Sequence, residues 1–316
     1  MTFLSLGMIF MLIMSPLLAL SSSGWVAMWA SLEVGMMGLV PLMFIWGGLF
    51  LSGESCMKYF VVQAFASGLL LFTGLLIFSE PPTYSTGLEV MMVIFLASLL
   101  LKMGVFPFHF WVVPVISFIG DLQILYILGP MKIVPLKLTS LVVDLYGGVE
   151  LVMVVLSVCS MVIGSVIGNS CYSVRGMLGA SSISHSGWLL MSCMYGCLWI
   201  YFILYVFSLS QFVVSHLWGY SFLCGLSILS MSGLPPFVLF YAKISLLMSM
   251  LTSGVYLVLF IGVMLSLVIS LNFYLKYFFL FSLASPTPNV NQYPKGSVML
   301  FVFSYCLLGS ALPFYS

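Results

Sequence analysis

The chain is a succession of long apolar runs, each about long enough to cross a bilayer, separated by short polar or Gly/Pro punctuation. A hydrocarbon core takes roughly 20 apolar residues per helix. About eleven such segments are predicted, near residues 2–20, 24–51, 56–79, 87–112, 116–143, 147–168, 172–194, 196–219, 223–251, 254–281 and 297–315. The breaks between them are explicit: Ser21-Ser22-Ser23-Gly24, Ser52-Gly53-Glu54, Glu80-Pro81-Pro82, Gly147-Gly148, Gly168-Asn169-Ser170, and a longer polar stretch from Ser285 to Gly296. Lipid offers no partner for backbone amides and carbonyls, so runs of this length are read as helices. The expected fold class is an all-α polytopic membrane protein. No loop is long enough for a soluble domain, so residues 1–316 are expected to form a single integral-membrane domain.

Composition excludes the main alternatives. With 63% hydrophobic and 5% charged residues, the chain cannot clothe a water-exposed surface, which takes about 25% charged residues. A net charge of +1 offers no basic face for nucleic-acid phosphates. Met1 leads straight into an apolar run, so neither a cleavable signal nor an Arg-rich transit peptide is expected. The cysteines at 56, 159, 171, 193, 197, 224 and 306 form no Cys-x-x-Cys pair and are read as buried free thiols.

The few charges carry the topology. Lys58, Arg175, Lys276 and Lys295 lie in or beside connections that follow even-numbered segments. Connections after odd-numbered segments carry Glu80, Glu89, Asp144 and Glu150, and no Lys or Arg. The positive-inside rule then puts the N-terminus and the even connections on the synthesis side.

Four charges depart from that pattern. Glu33, Lys102, Lys132 and Lys243 each sit inside an apolar run. An ionisable group at hydrocarbon depth costs roughly 2.5–3.5 kcal/mol on insertion scales, and groups kept there usually mark ion or proton pathways. Burial favours the neutral form of carboxyl and ammonium groups alike, and a nearby opposite charge restores the ionised form, so such groups load and unload protons as their spacing changes. A bland alternative pairs Glu33 structurally with one lysine while the others snorkel to an interface. Two further features favour the relay. The fourth segment contains Lys102-Met103-Gly104-Val105-Phe106-Pro107 and the ninth contains Ser232-Gly233-Leu234-Pro235-Pro236, and both are expected to be broken helices. Paired interruptions in two halves of a membrane chain point to a pathway between repeats.

His185, in Ser181-Ser182-Ile183-Ser184-His185-Ser186-Gly187-Trp188, sits among hydroxyls able to hold water and pass protons, and the same cluster would serve as helix–helix glue. His109 and His216 are expected near interfaces. There is no Cys-x-x-Cys-His, no phosphate-cradling Gly-rich loop and no cysteine cluster, so redox chemistry is expected in a partner.

Leu101-Lys102-Met103-Gly104-Val105-Phe106-Pro107-Phe108-His109-Phe110-Trp111 closely resembles a motif of the subunit 2 family of mitochondrial NADH:ubiquinone oxidoreductase, respiratory complex I. In the same order, Trp29 to Glu33, Lys58 to Ala64, Ser181 to Trp188 and Leu229 to Phe237 also look like that family, and the resemblance runs end to end. There are departures. Trp111-Val112-Val113-Pro114 is one residue longer than the usual Trp-x-Pro, and Val115 replaces the usual Glu. Gly129-Pro130-Met131 stands where Thr-Trp-Gln usually precedes Lys132. Lys137 is an extra basic residue, Leu239 stands where a Gly is usual, and no Trp follows Lys243. These suggest a divergent invertebrate form and put local geometry around 112–132 in question.

The resemblance implies an antiporter-like fold of two inverted five-helix repeats with two broken helices. It implies proton translocation, with Glu33 and Lys102 as the coupling pair, Lys132 as the central relay and Lys243 facing the exit. The subunit would carry no redox centre and bind no cofactor of its own; NADH, FMN, iron–sulfur clusters and ubiquinone would belong to partner subunits. Its partners would be the other membrane-arm subunits, including adjacent antiporter-like and small subunits, together with membrane lipids. It would lie in the mitochondrial inner membrane with its N-terminus facing the matrix. The competing readings are a sodium/proton antiporter, multi-subunit or stand-alone, and a non-pumping scaffold.

Overall fold

The computed structural model describes residues 3–47, 50–79, 86–145, 147–254 and 257–283, and the predicted segment 297–315 lies outside these. Among the described residues every regular element is helical: α1 (Phe3–Ser21), α2 (Trp25–Gly47), α3 (Phe50–Ser79), α4 (Thr86–Met103), α5 (Val112–Ile116), α6 (Asp121–Leu128), α7 (Ile133–Leu145), α8 (Glu150–Ser170), α9 (Val174–Met194), α10 (Leu198–Leu217), α11 (Ser221–Ser232), α12 (Val238–Thr252) and α13 (Leu257–Leu283). Short 3₁₀ turns at Pro130–Lys132 and Gly147–Val149 complete the order. Among the described residues, six stretches are long and apolar enough to cross a membrane: Trp25–Trp46, Ser52–Phe78, Asp121–Asp144, Glu150–Ser170, Leu198–Leu217 and Leu257–Leu283. Large apolar side chains such as Phe10, Phe65, Phe72, Val258 and Val268 face outward, the pattern of a lipid-facing exterior.

Helices α1 to α4 pack in sequence, one against the next, while α8, α9 and α13 pack together and α10 and α11 join them through α13. The two groups meet through the middle of the chain, with α5 and α7 lying on α9 and α6 on α10. Helix α9 is the axis of this arrangement, buried continuously from Gly176 to Ser192. Its sequence is rich in Ser and Gly because it faces protein rather than lipid. A Cβ on Gly164 of α8 would meet the Ser184 backbone nitrogen at 2.5 Å, and one on Gly187 of α9 would overlap the Ser160 hydroxyl. Small residues thus let α8 and α9 approach backbone to backbone, as membrane helices do where no hydrophobic force draws them together.

The two predicted breaks share one local geometry. Gly104 and Gly233 both have positive φ, 69° and 77°, and each amide bonds the carbonyl three residues back, Leu101 at 3.3 Å and Ser230 at 3.4 Å. Each glycine is followed at +3 and +4 by Pro-Phe, Pro107-Phe108 and Pro236-Phe237. The fourth predicted segment is shorter than expected: α4 ends at Met103, and an irregular stretch leads to α5. A third interruption was not foreseen, since Gly129-Pro130 splits the fifth segment into α6 and α7. The extra Lys137 on α7 donates to the Ala19, Leu20 and Ser22 carbonyls at 2.8, 3.1 and 2.8 Å, capping the C-terminus of α1.

The glycine geometry makes a ranked prediction. Gly104→Ala would place a Cβ into overlap with Val112 Cγ2, whereas Gly196, with φ 76°, has nothing within 4 Å. Both substitutions cost the left-handed penalty of about 1–2 kcal/mol. Only Gly104→Ala adds steric overlap, so thermal unfolding in detergent should show a clearly lower midpoint for Gly104→Ala than for Gly196→Ala.

Candidate functional site

The three lysines lie at the three interruptions, and the interruptions explain how they are held. Where α4 stops, its last carbonyls have no helical partner. The Leu101 carbonyl accepts from Trp111 Nε1 at 3.0 Å, and the Lys102 carbonyl accepts from Gln63 Nε2 at 3.3 Å. The Lys102 side chain is left to turn inward, buried at 8% exposure. Lys132 ends the 3₁₀ turn that follows Gly129, with its amide bonded to the Gly129 carbonyl at 3.0 Å. Its Nζ donates to the Ser182 carbonyl of α9 at 3.3 Å and stands 5.8 Å from the Tyr205 ring centre. Lys243, on α12, donates from Nζ to the Ser232 carbonyl at 2.7 Å and stands 5.5 Å from the Trp188 ring centre. That carbonyl is one of those freed where α11 ends. A Cβ on Gly233 would sit 2.8 Å from Lys243 Cδ, so only glycine leaves room for the side chain to reach back.

Lys102 and Lys132 face a common cavity of about 20 Å³, walled also by Tyr59, Gln63, Trp111 and Ser182. A water needs about 10–15 Å³ and two to four polar partners. The cavity therefore has room for about one water, and the two ammonium groups, the Gln63 amide and the Tyr59 hydroxyl supply partners.

His185 lies deeper on α9, within electrostatic reach of both Lys132 and Lys243. Its Nδ1 pairs with the Tyr201 hydroxyl at 2.9 Å and its Nε2 with the Tyr274 hydroxyl at 3.1 Å. The Tyr205 ring lies alongside, with centroids 4.8 Å apart. The Ser181 and Ser184 hydroxyls of α9 donate to the Leu178 and Ser181 carbonyls at 2.9 and 2.7 Å. A neutral imidazole has one N–H and one acceptor nitrogen, and a phenol serves as either. An imidazole held by phenols on both nitrogens passes a proton by taking it on one side and releasing it on the other. The Trp188 ring stacks on Tyr201, with centroids 6.2 Å apart and planes at 10°, which carries the buried cluster toward Lys243.

Glu33 on α2 is half-buried, with Oε1 buried and without a hydrogen-bond partner among the described residues. It forms no ion pair with Lys102, although its charge acts on that lysine. The ion pairs among the described residues are instead Lys58–Glu54 and Arg175–Asp121, with His216 hydrogen-bonded to the same Asp121 carboxylate. His109 is buried within the stretch after α4, stacked on Phe110 at 4.3 Å. No group of three or more His, Cys, Asp or Glu among the described residues could hold a metal ion.

Sequence reasoning missed the tyrosines. Tyr201 and Tyr205 stand four residues apart on α10 and so share one face. Nothing in the sequence pairs them with Tyr274 on α13.

A family described as NADH:quinone oxidoreductase/Mrp antiporter, TM, matches residues 22–221. The chain is 36% identical over 299 residues to NADH-ubiquinone oxidoreductase chain 2 of Albinaria caerulea, covering 94% of this chain and 95% of that one. It is 33% identical over 289 residues to the protein of the same name from Anopheles gambiae, covering 84% and 82%. Among solved structures, a chain of respiratory complex I from Thermus thermophilus superposes with a TM-score of 0.81 at 20% identity, over 98% of this chain and 78% of that one. A chain of the Mrp complex from Dietzia sp. superposes with a TM-score of 0.81 at 18% identity, over 89% and 61%. The fold is thus antiporter-like.

The hydroxyl pairings separate two conservative substitutions. Tyr201→Phe leaves a buried His185 nitrogen without a partner, at a cost of about 1–3 kcal/mol. The Tyr205 hydroxyl has no partner among the described residues, so Tyr205→Phe should be near neutral. Thermal unfolding of the two variants side by side checks the difference.

Proposed function

Because the chain belongs to the NADH-ubiquinone oxidoreductase chain 2 family, we propose that it moves protons through a buried path from Glu33 and Lys102, by way of Lys132 and His185, to Lys243. It is a proton-translocating membrane-arm subunit of the oxidoreductase complex, multi-pass in the mitochondrial inner membrane, and its partners are other subunits of that complex. In this reading the chain binds no cofactor of its own. Electron transfer takes place in partner subunits, and this chain answers it by moving protons. Its neighbours are antiporter-like and small membrane-arm subunits together with lipids, and its N-terminus faces the matrix.

The observation that carries the reading is the series of neighbouring buried groups from Lys102 to Lys243. Lys102 and Lys132 share one cavity, Lys132 and His185 share Tyr205 as a neighbour, and His185 and Lys243 both border the Trp188–Tyr201 stack. Polar groups left inside a membrane protein are costly unless satisfied or used. The likeness to the Mrp chain supports a shared fold. The matching length of the Albinaria caerulea relative favours the oxidoreductase subunit over a free-standing antiporter.

Two measurements test this. Native-gel separation of mildly solubilised membranes, with peptide mass spectrometry and an in-gel NADH-oxidation stain, should find the chain in the NADH-active band; migration alone or with unrelated partners would overturn the assignment. In the assembled complex, Lys102→Met and Lys243→Met should each lower the protons moved per electron pair while the band keeps its wild-type intensity. Unchanged pumping in both variants would leave the lysines structural and the chain a scaffold.

A further inference from the structure

A second polar cluster lies away from the relay, where the ends of three helices meet. Asp121 opens α6, Arg175 lies in the first turn of α9 and His216 in the last turn of α10. Arg175 Nε donates to Asp121 Oδ1 at 3.2 Å, and His216 Nδ1 meets Asp121 Oδ2 at 2.9 Å. The carboxylate is largely covered, with its side chain 14% exposed, while Arg175 and His216 are 41% and 35% exposed. The three residues line an open pocket of about 280 Å³ together with Ser117, Ser173, Leu178 and Phe212. That volume holds several waters. Nothing in the relay uses this pocket.

The pocket points at the relay. On α10, Tyr205, Phe212 and His216 share one face, at spacings of seven and four residues. On α9, Arg175, Leu178 and Ser182 are spaced by three and four, again one face. Each helix therefore runs from a charged residue at the pocket mouth, through an apolar residue at its wall, to a residue that touches Lys132. The Ser182 carbonyl accepts from Lys132, and the Tyr205 ring faces it. Along α9 the step from Arg175 to Ser182 is seven residues, about 10 Å of helix rise. Between lie Leu178 and Phe212, each 2% exposed. Paired apolar side chains of this kind close a path by excluding water and open it when they part.

We propose that Asp121, Arg175 and His216 form a proton-uptake site that feeds Lys132, closed from it by Leu178 and Phe212. The chemistry follows from the hydrogen bonds. A carboxylate accepting at Nδ1 fixes the histidine tautomer with its proton on that nitrogen. Nε2, without a partner among the described residues, is then the acceptor that takes a proton from pocket water. The resulting imidazolium rests against the Asp121 carboxylate, and Arg175 holds the other carboxylate oxygen in place. When the apolar pair parts, the proton leaves Nε2 through water toward the Lys132 side. No bond other than N–H forms or breaks. Asp121 on α6 meets the histidine directly, Arg175 on α9 is linked to it through the same carboxylate, and the Asp121 charge also reaches Cys224 on α11, while Lys276 on α13 turns instead to the Cys171 carbonyl.

The inference rests on the reading of this chain as a proton translocator, and the test keeps the two apart. Asp121→Asn, Asp121→Glu, His216→Gln and Lys132→Met are compared in the assembled complex in sealed vesicles, with electron transfer, proton movement and native-gel band intensity measured across pH on the pocket side. Asp121→Asn removes the carboxylate that fixes the His216 tautomer and orients its ring, so its pumping should fall several-fold. Asp121→Glu should restore the profile, and His216→Gln should lower pumping at every pH. Wild-type profiles in both Asp121→Asn and His216→Gln, with Lys132→Met losing pumping, would overturn the uptake site and leave the relay standing. A pH-independent loss in Asp121→Asn that Asp121→Glu fails to rescue would make the cluster a structural ion pair and also overturn it. Unchanged protons per electron pair in Lys132→Met would overturn the translocation reading and the uptake site together. Should Asp121→Asn fail to assemble, the shape of the His216→Gln profile decides.

Discussion

A helix that stops inside a membrane must give its freed carbonyls a partner, and this requirement organises the whole molecule. Lipid offers them none, so protein groups must come to the carbonyls. At the end of α4 they are Trp111 and Gln63, and at the end of α11 the partner is the Lys243 ammonium. Each interruption therefore fixes a polar side chain in the interior at a defined place. The glycines that permit the turns and the lysines beside them belong to one device, which is why Gly233 and Lys243 touch. Gly104 and Gly233 share a left-handed φ, with Pro-Phe at the same spacing after each, a likeness between the two halves of the chain confined to the turn itself.

Helix α9 follows from the same constraint. A helix that accepts from Lys132 and presents His185 to Tyr201 and Tyr274 must be surrounded by protein on every side. Its many serines bond their own backbone three residues back, so they add no unsatisfied groups to the interior, and they are small enough for α8 to approach closely. The lipid-facing role falls to outer helices such as α1, α3 and α13, whose exposed residues are large and apolar.

These properties left unequal traces in the sequence. Segment positions were legible because lipid imposes a length and a polarity on every span, and α1, α2, α8, α9 and α13 begin within a few residues of their predicted starts. The breaks at Gly104 and Gly233 were legible because glycine and proline act locally. The break at Gly129-Pro130 carries the same local signal within a stretch whose geometry the sequence put in question, but hydropathy runs through it without a dip, so the span reads as continuous. The fourth segment is shorter than its hydropathy suggests for the opposite reason: the stretch after Met103 is apolar though not helical, and hydropathy cannot distinguish it from a span. The lysines stood out as charges in apolar runs. Tyr201, Tyr205 and Tyr274 did not, since a tyrosine is unremarkable in a membrane chain and the pairing depends on how α9, α10 and α13 pack. Asp121 was equally silent, being one acidic residue near a helix start whose partners lie 54 and 95 positions away.

The partners chosen by the lysines bear on how a relay of this kind works. Lys132 and Lys243 donate to backbone carbonyls, not to carboxylates. A carboxylate partner would hold an ammonium in its ionised form, because losing the proton would strand a buried anion. A carbonyl makes no such demand. It accepts from an ammonium and from a neutral amine alike, so the hydrogen bond survives in either state and the side chain stays in place while its charge comes and goes. The same holds for His185, whose two phenol partners serve as donor or acceptor according to the tautomer between them. Glu33 is the exception, a carboxyl with one buried oxygen unpartnered among the described residues and a charge that Lys102 feels from beyond ion-pair distance. In the proposed path the one group whose charge acts on a relay lysine thus stands at its start, where a change in the surrounding complex could alter its distance from Lys102. The groups further along keep hydrogen-bond partners that accept either protonation state, which lets a proton pass without those bonds having to be rebuilt at each step.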